Sequence, residues 1–202
     1  MPEGDSIRGR TLGIRGIAFG IAAMAVVVTA SNVLVQHPLG EWLTWGALSY
    51  PFAFLVTDLV NRRFGPGGAR RVVLAGFACA VVLSFWLATP RIAAASGSAF
   101  LVAQLADVQV FDRLRNARWW QAPLVSSALG SVLDTALFFS LAFAGTELPA
   151  TALLSWEVPI WVTWALGDLA VKAGFVLALL IPFRLLLNAT QPPPPASAGA
   201  AA

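Results

Sequence analysis

Residues 120–144 read WQAPLVSSALGSVLDTALFFSLAFA, a run in which Asp134 is the only ionisable side chain. A bilayer core about 30 Å thick needs roughly 20 apolar residues of helix to cross it. The run is long enough to span. Lipid satisfies no free backbone group, so the span must be helical. It also places a carboxylate near its own middle, where insertion scales set a cost of about 2.5–3.5 kcal/mol. Such a helix needs companions, because its acid must face something other than acyl chains.

Working outward, five further stretches qualify, at about 14–35, 43–60, 70–88, 98–115 and 159–187. The reading is an all-α polytopic membrane protein with six transmembrane helices. Composition agrees: 58% of the 202 residues are hydrophobic and 11% charged, against about 25% charged in a soluble domain. That much apolar surface cannot be hidden inside a small water-soluble fold. It is equally incompatible with disorder over most of the chain. The first stretch is long, lacks a small-residue cleavage site and carries Asn32 and Gln36, so it reads as a span and not as a cleaved signal. The expected organisation is an N-terminal segment at 1–13, a membrane domain at 14–188 and a disordered Pro/Ala-rich tail at 189–202.

Charge fixes the direction. Eleven of the 13 basic residues (Arg8, Arg10, Arg15, Arg62, Arg63, Arg70, Arg71, Arg113, Arg115, Arg118 and Arg184) fall on one side of the six spans. The positive-inside rule puts that side, and both termini, in the cytoplasm. The net charge of +3 is then an orientation signal and calls for no nucleic acid. Gly65-Pro66-Gly67-Gly68 reads as a turn, as do Pro90 and the run Ser96-Gly97-Ser98. Most tryptophans, among them Trp42, Trp119 and Trp156, stand near span ends, where amphipathic rings settle.

The polar residues inside the spans carry the functional signal. Asp107, Asp134, Asp168 and Lys172 are expected near mid-depth, and Asp58 in the cytoplasmic third of the second span. Unpaired, these five would cost on the order of 10 kcal/mol, so they must meet one another, a wet cavity or a ligand. Helical spacing groups them. Asp168 and Lys172 are four apart and can pair on one face, Gln104 and Asp107 are three apart, and Ser127, Ser131 and Asp134 run along one stripe. Asn32 with Gln36, and Asp58 with Asn61, add two more stripes. Five helices thus present polar faces that converge on a central site. The plainer reading is interhelical glue for the serines, a cap beside the arginines for Asp58 and Asn61, and a self-neutralised pair for Asp168 and Lys172.

Several chemistries lack their residues. One cysteine, Cys79, and one histidine, His37, support neither a disulfide framework nor a metal site. No phosphate loop, zinc-protease helix or nucleophile elbow occurs, so the chain is read as a non-enzyme without cofactor.

In order and spacing over residues 20–188, the strings Asn32-Val33-Leu34-Val35-Gln36, Tyr50 to Leu59, Gln104 to Arg115, Trp119 to Pro123, and Ser131 to Thr135 with Phe138-Phe139 resemble the bacterial queuosine-precursor transporters of the vitamin-uptake-transporter-like family. Asp168 and Lys172 extend the match. The resemblance implies an inner-membrane importer of 7-cyano-7-deazaguanine and its aminomethyl relative for tRNA queuosine synthesis. It also implies a six-helix bundle like the substrate-binding S components of vitamin transporters. A deazaguanine offers a ring N–H beside an exocyclic amine, which suits a carboxylate accepting two hydrogen bonds. On this reading Asp107 or Asp134 takes that edge. Gln104, Asn32 or Lys172 donates to the carbonyl, and Phe54, Phe111 or Phe138 stacks on the ring. The binding residues expected are Asn32, Gln36, Gln104, Asp107, Phe111, Asp134, Asp168 and Lys172, with Phe54, Asp58, Asn61, Ser131 and Phe138 around them. An S-component-like subunit with an ATPase partner, a homo-oligomer and a lipid or isoprenoid enzyme stand as alternatives.

Overall fold

The computed structural model describes residues 3–34, 37–39, 43–153 and 155–190. Gln36 and the tail from residue 191 lie outside the described residues. The chain begins with helix α1 (Glu3–Leu34), then a short antiparallel pair, β1 (Pro38–Leu39) with β2 (Leu43–Thr44). Helices α2 (Trp45–Ser49), α3 (Phe52–Leu87), α4 (Pro90–Leu114) and α5 (Gln121–Phe143) follow. A second antiparallel pair, β3 (Ala150–Leu153) with β4 (Trp156–Pro159), leads into α6 (Ile160–Ala178) and α7 (Leu180–Leu185).

Prolines and one glycine set the breaks. Pro51 has no N–H for the Ala47 carbonyl, so α2 ends at Ser49 and the helix restarts as α3 at Phe52. Pro182 interrupts the ladder between α6 and α7 in the same way. Thr89 caps α4 by accepting from the Ile92 N–H at 3.4 Å, with Pro90 in the first turn. The helix therefore starts ahead of residue 98, and Ser96-Gly97-Ser98 lies inside it and forms no turn.

Among the described residues, five helices are long and apolar enough to cross a membrane, not the six separate ones expected. The difference lies in residues 45–84, counted as one 40-residue element, twice the length a crossing needs. Its backbone turns at Gly65, where φ is 75° and ψ 178°, a conformation open to glycine. The two legs fold back on each other. Tyr50 stacks edge-on against Phe100 at 6.2 Å, and a Cβ at Gly76 would lie 3.3 Å from the same ring. In one straight helix those two residues would be roughly 39 Å apart. The expected turn at Gly65-Pro66 is thus a tight reversal inside a nearly continuous helical stretch, and the chain is multi-pass.

Met24, Val28, Val72, Val73, Phe100 and Val108 form the apolar core between α1, α3 and α4. Large apolar side chains such as Phe19, Val82 and Ile181 point outward, two-thirds or more exposed apart from Val82 at 62%, as a lipid-facing surface requires. Successive crossings put the Gly65 turn, the α4–α5 connection and α7 at one end, which carries the arginines. Both β pairs belong to the opposite end. There Arg91 donates to the carbonyls of Leu141 at 3.1 Å and Ala144 at 2.5 Å, closing the C-terminus of α5.

Candidate functional site

Most of the ionisable residues inside the bundle gather in two layers, with hydroxyl residues between them. Asp134 and Thr135 of α5, Asp168 and Lys172 of α6, and Tyr50 at the α2–α3 break form the first. The Lys172 ammonium donates to Asp168 Oδ2 at 2.5 Å, Asp134 Oδ2 at 2.7 Å and Thr135 Oγ1 at 3.1 Å. The Thr135 hydroxyl donates to Asp168 Oδ2 at 2.6 Å, and the Tyr50 hydroxyl donates to Asp134 Oδ1 at 3.0 Å. All three ammonium protons are used. Lys172 also lies 5.5 Å from the Tyr50 ring centroid, within cation–π range. The i,i+4 spacing of Asp168 and Lys172 foretells half of this network. The other half, Asp134 reaching Lys172 from a different helix, depends on how α5 packs on α6.

The second layer lies nearer the arginine-rich end. Asp58 of α3 accepts from Ser126 at 3.2 Å and from Ser127 at 3.1 Å, both on α5. Asp107 of α4 approaches Asp58 and Ser126, yet neither of its oxygens makes an acceptable hydrogen bond, and the residue is fully buried. Gln104, one turn away, meets the Thr57 hydroxyl at 2.6 Å through Oε1 and leaves Nε2 without a partner. That hydroxyl has one proton and also faces the Ala53 carbonyl at 3.0 Å. Whichever acceptor it serves, one end of the Gln104 amide stays unpaired. Among the described residues no Lys or Arg forms an ion pair with Asp58 or Asp107.

Asp107 was expected at mid-depth. It sits seven residues from the end of α4, roughly 10 Å along the axis, because the helix begins at Pro90. The ionisable groups therefore do not share one pocket. On α5, Ser131 bridges the layers, four residues from Ser127 and three from Asp134. Phe54 fills the same level on α3, its ring edge-on to Tyr50 at 6.4 Å. A narrow cleft opens at this level between α3, α5 and α6–α7. Its walls include Phe54, Asp58, Ser127, Ser131, Leu179 and Phe183, and α4 contributes nothing to them.

The remaining expected residues stand apart from the cleft. Asn32 donates to the Val28 carbonyl of its own helix at 2.9 Å. Asn61 ties α3 to α4, donating to Val108 O at 2.9 Å and accepting from Arg115 at 2.9 Å. Phe111 packs edge-on against Phe183 at 6.1 Å towards the arginine-rich end. Phe138 belongs to an aromatic group with Phe139 and Phe143 towards the other end. Tyr50, Thr57 and Thr135 were not among the expected site residues. A signal for the first two exists, since Tyr50, Phe54, Thr57 or Asp58, and Asn61 recur at helical spacing on one face. Among the described residues, no three His, Cys, Asp or Glu side chains gather closely enough to hold a metal.

A family model described as "Putative vitamin uptake transporter" matches residues 44–89 and 84–187, which include both polar layers and the cleft. The chain belongs to this family. A protein of Escherichia coli K12 named "Queuosine precursor transporter" is 37% identical over 194 residues, covering 81% of this chain and 82% of its own. The "Probable queuosine precursor transporter" of Haemophilus influenzae is 32% identical, with 80% of this chain and 82% of its own covered. That of Bacillus subtilis is 26% identical over 66% of this chain and 70% of its own. These family members are named as transporters, not enzymes. No solved structure matches the chain significantly.

Proposed function

We propose that the chain imports a queuosine precursor of the 7-deazaguanine type, with 7-cyano-7-deazaguanine foremost and its aminomethyl relative second. The names of the relatives support the substrate class. One observation carries the seat of binding: Asp58, buried and without an ion-pair partner among the described residues, forms part of a cleft wall together with the Phe54 ring. A carboxylate has about four acceptor positions, and the two serines use two of them. The other two match the ring N–H and exocyclic amine of a guanine-like base. Ser131, one turn further along α5, faces the same cleft and suits the adjacent carbonyl. Phe54 and Phe183 supply aromatic surface for the bicycle. Asp134, already held by Lys172 and Tyr50, is less open to a ligand than Asp58.

The arginine-rich end faces the cytoplasm of a bacterial inner membrane, with both termini on that side, as the positive-inside rule directs. The chain acts without an ATPase subunit, so the purified protein alone is expected to move substrate in proteoliposomes. The cellular test uses bacteria unable to make the precursor, fed 7-cyano-7-deazaguanine, with queuosine in tRNA as the readout. Losing one partner of a buried charge-assisted pair costs about 2–5 kcal/mol, so Asp58→Asn is expected to lower uptake at least about 30-fold. Asp112→Asn, at a partly exposed ion pair with Arg115, is expected to leave it unchanged. Equal tRNA queuosine in the wild type and Asp58→Asn, at equal membrane protein, overturns this seat.

A further inference from the structure

Asp107 is the residue that the proposed binding site leaves unexplained. It is fully buried, contributes nothing to the cleft wall and has no hydrogen-bond partner for either oxygen. It nevertheless sits at the level of Asp58, which does border the cleft, because hydrogen bonds from Thr57 to Gln104 and from Asn61 to the Val108 carbonyl bracket the two residues where α3 packs on α4. Among the described residues, no Lys or Arg pairs with either carboxyl. From α3 comes Asp58 itself, with Arg62 one turn beyond and not ion-paired to it. From α5 come the uncharged Ser126 and Ser127. From α4 comes Arg115, held by Asp112 and Asn61, and from α6 comes Lys172, held by Asp134 and Asp168. Two adjacent carboxyls in low dielectric, with no cation, do not both ionise. A single proton shared by the two carboxyls removes that repulsion.

We infer that Asp107 carries the coupling proton of transport, exchanging it with Asp58 across the wall of the substrate cleft. The inference rests on the proposed importer function. No covalent chemistry is involved: an O–H bond forms with a proton entering from the β-pair end and breaks on release at the arginine-rich end. Ser131 and Ser127 line the cleft one turn apart on α5, between the Asp134–Lys172 layer and Asp58, and Ser127 donates to Asp58 at 3.1 Å. A base held by Asp58 through two N–H donors needs that carboxylate ionised, so the shared proton moves onto Asp107. Substrate and proton then occupy neighbouring groups in the same state.

The test uses purified full-length protein in proteoliposomes and labelled 7-cyano-7-deazaguanine. Counterflow into vesicles preloaded with unlabelled substrate reports transport without any gradient. Accumulation driven by an external pH one unit lower reports coupling. At one proton per substrate the wild type is expected to accumulate label up to about tenfold, and a protonophore is expected to abolish this. Asp107→Asn is expected to keep counterflow and lose accumulation, and Asp107→Glu to recover part of it. Counterflow in the wild type without pH-driven accumulation overturns the inference and leaves the importer function standing. So does accumulation by Asp107→Asn equal to wild type, or loss of its counterflow. Absence of wild-type counterflow overturns the importer function and this inference with it.

Discussion

Lys172→Met removes the single cation from a layer that holds two carboxylates. In the native protein the ammonium spends its three protons on Asp134, Asp168 and Thr135, and only 4% of the residue is exposed. Methionine keeps most of the volume and none of the charge. Breaking a buried ion pair by deleting one partner costs about 3–5 kcal/mol, because the other charge is left uncompensated. Each carboxylate here keeps one hydroxyl donor, Tyr50 for Asp134 and Thr135 for Asp168, which points to the lower end of that range. For a chain of this size about 3 kcal/mol corresponds to a fall in Tm of roughly 6–12 °C. The assay is thermal unfolding of the detergent-purified protein at a fixed scan rate, since membrane proteins unfold irreversibly and the midpoint is rate-dependent. The double variant Lys172→Met/Asp168→Asn is expected to regain several degrees, because one of the two stranded charges is gone. An unchanged Tm in the single variant, or no recovery in the double, refutes the idea that this network is electrostatically closed.

Other sites give smaller or more specific effects. Gly130→Ala puts a Cβ within 2.5 Å of the Phe54 ring, so α3 and α5 must separate beside the cleft; both Tm and precursor uptake are expected to fall. Asn61→Ala removes the tie from α3 to Val108 and Arg115, at a cost of about 1–3 kcal/mol, with uptake retained once expression is matched. Tyr50→Phe deletes one hydroxyl donor to Asp134 and is expected to lower Tm by a few degrees in the same unfolding assay.

The membrane helices were legible in the sequence because length and apolarity alone decide them, and residues 120–144 show it: α5 spans Gln121–Phe143. Their ends were less so. Ser96-Gly97-Ser98 looks like a joint by composition, yet the Thr89 cap and Pro90 start the helix earlier. That shift carries Asp107 from mid-depth towards the arginine-rich end. The β pairs escaped notice because strands of two and four residues give too little alternation to register. Pairing within one helix, as for Asp168 and Lys172, follows from spacing. Pairing between helices does not, which is why Asp134 looked like an acid without a cation and why Asp58 could be read either as a residue of the site or as a cap. Asp58 becomes a cleft residue only when α5 brings Ser126 and Ser127 against it.

The account turns on a guanine-like edge meeting Asp58 inside the bundle. Its most direct test is calorimetric binding of 7-cyano-7-deazaguanine, and of the analogue methylated at the ring N–H, to the purified wild type and Asp58→Asn. Binding by the wild type, with at least about tenfold weakening both by the methyl group and by the substitution, is the predicted result. Equal affinity of Asp58→Asn and wild type for the unmethylated base contradicts it.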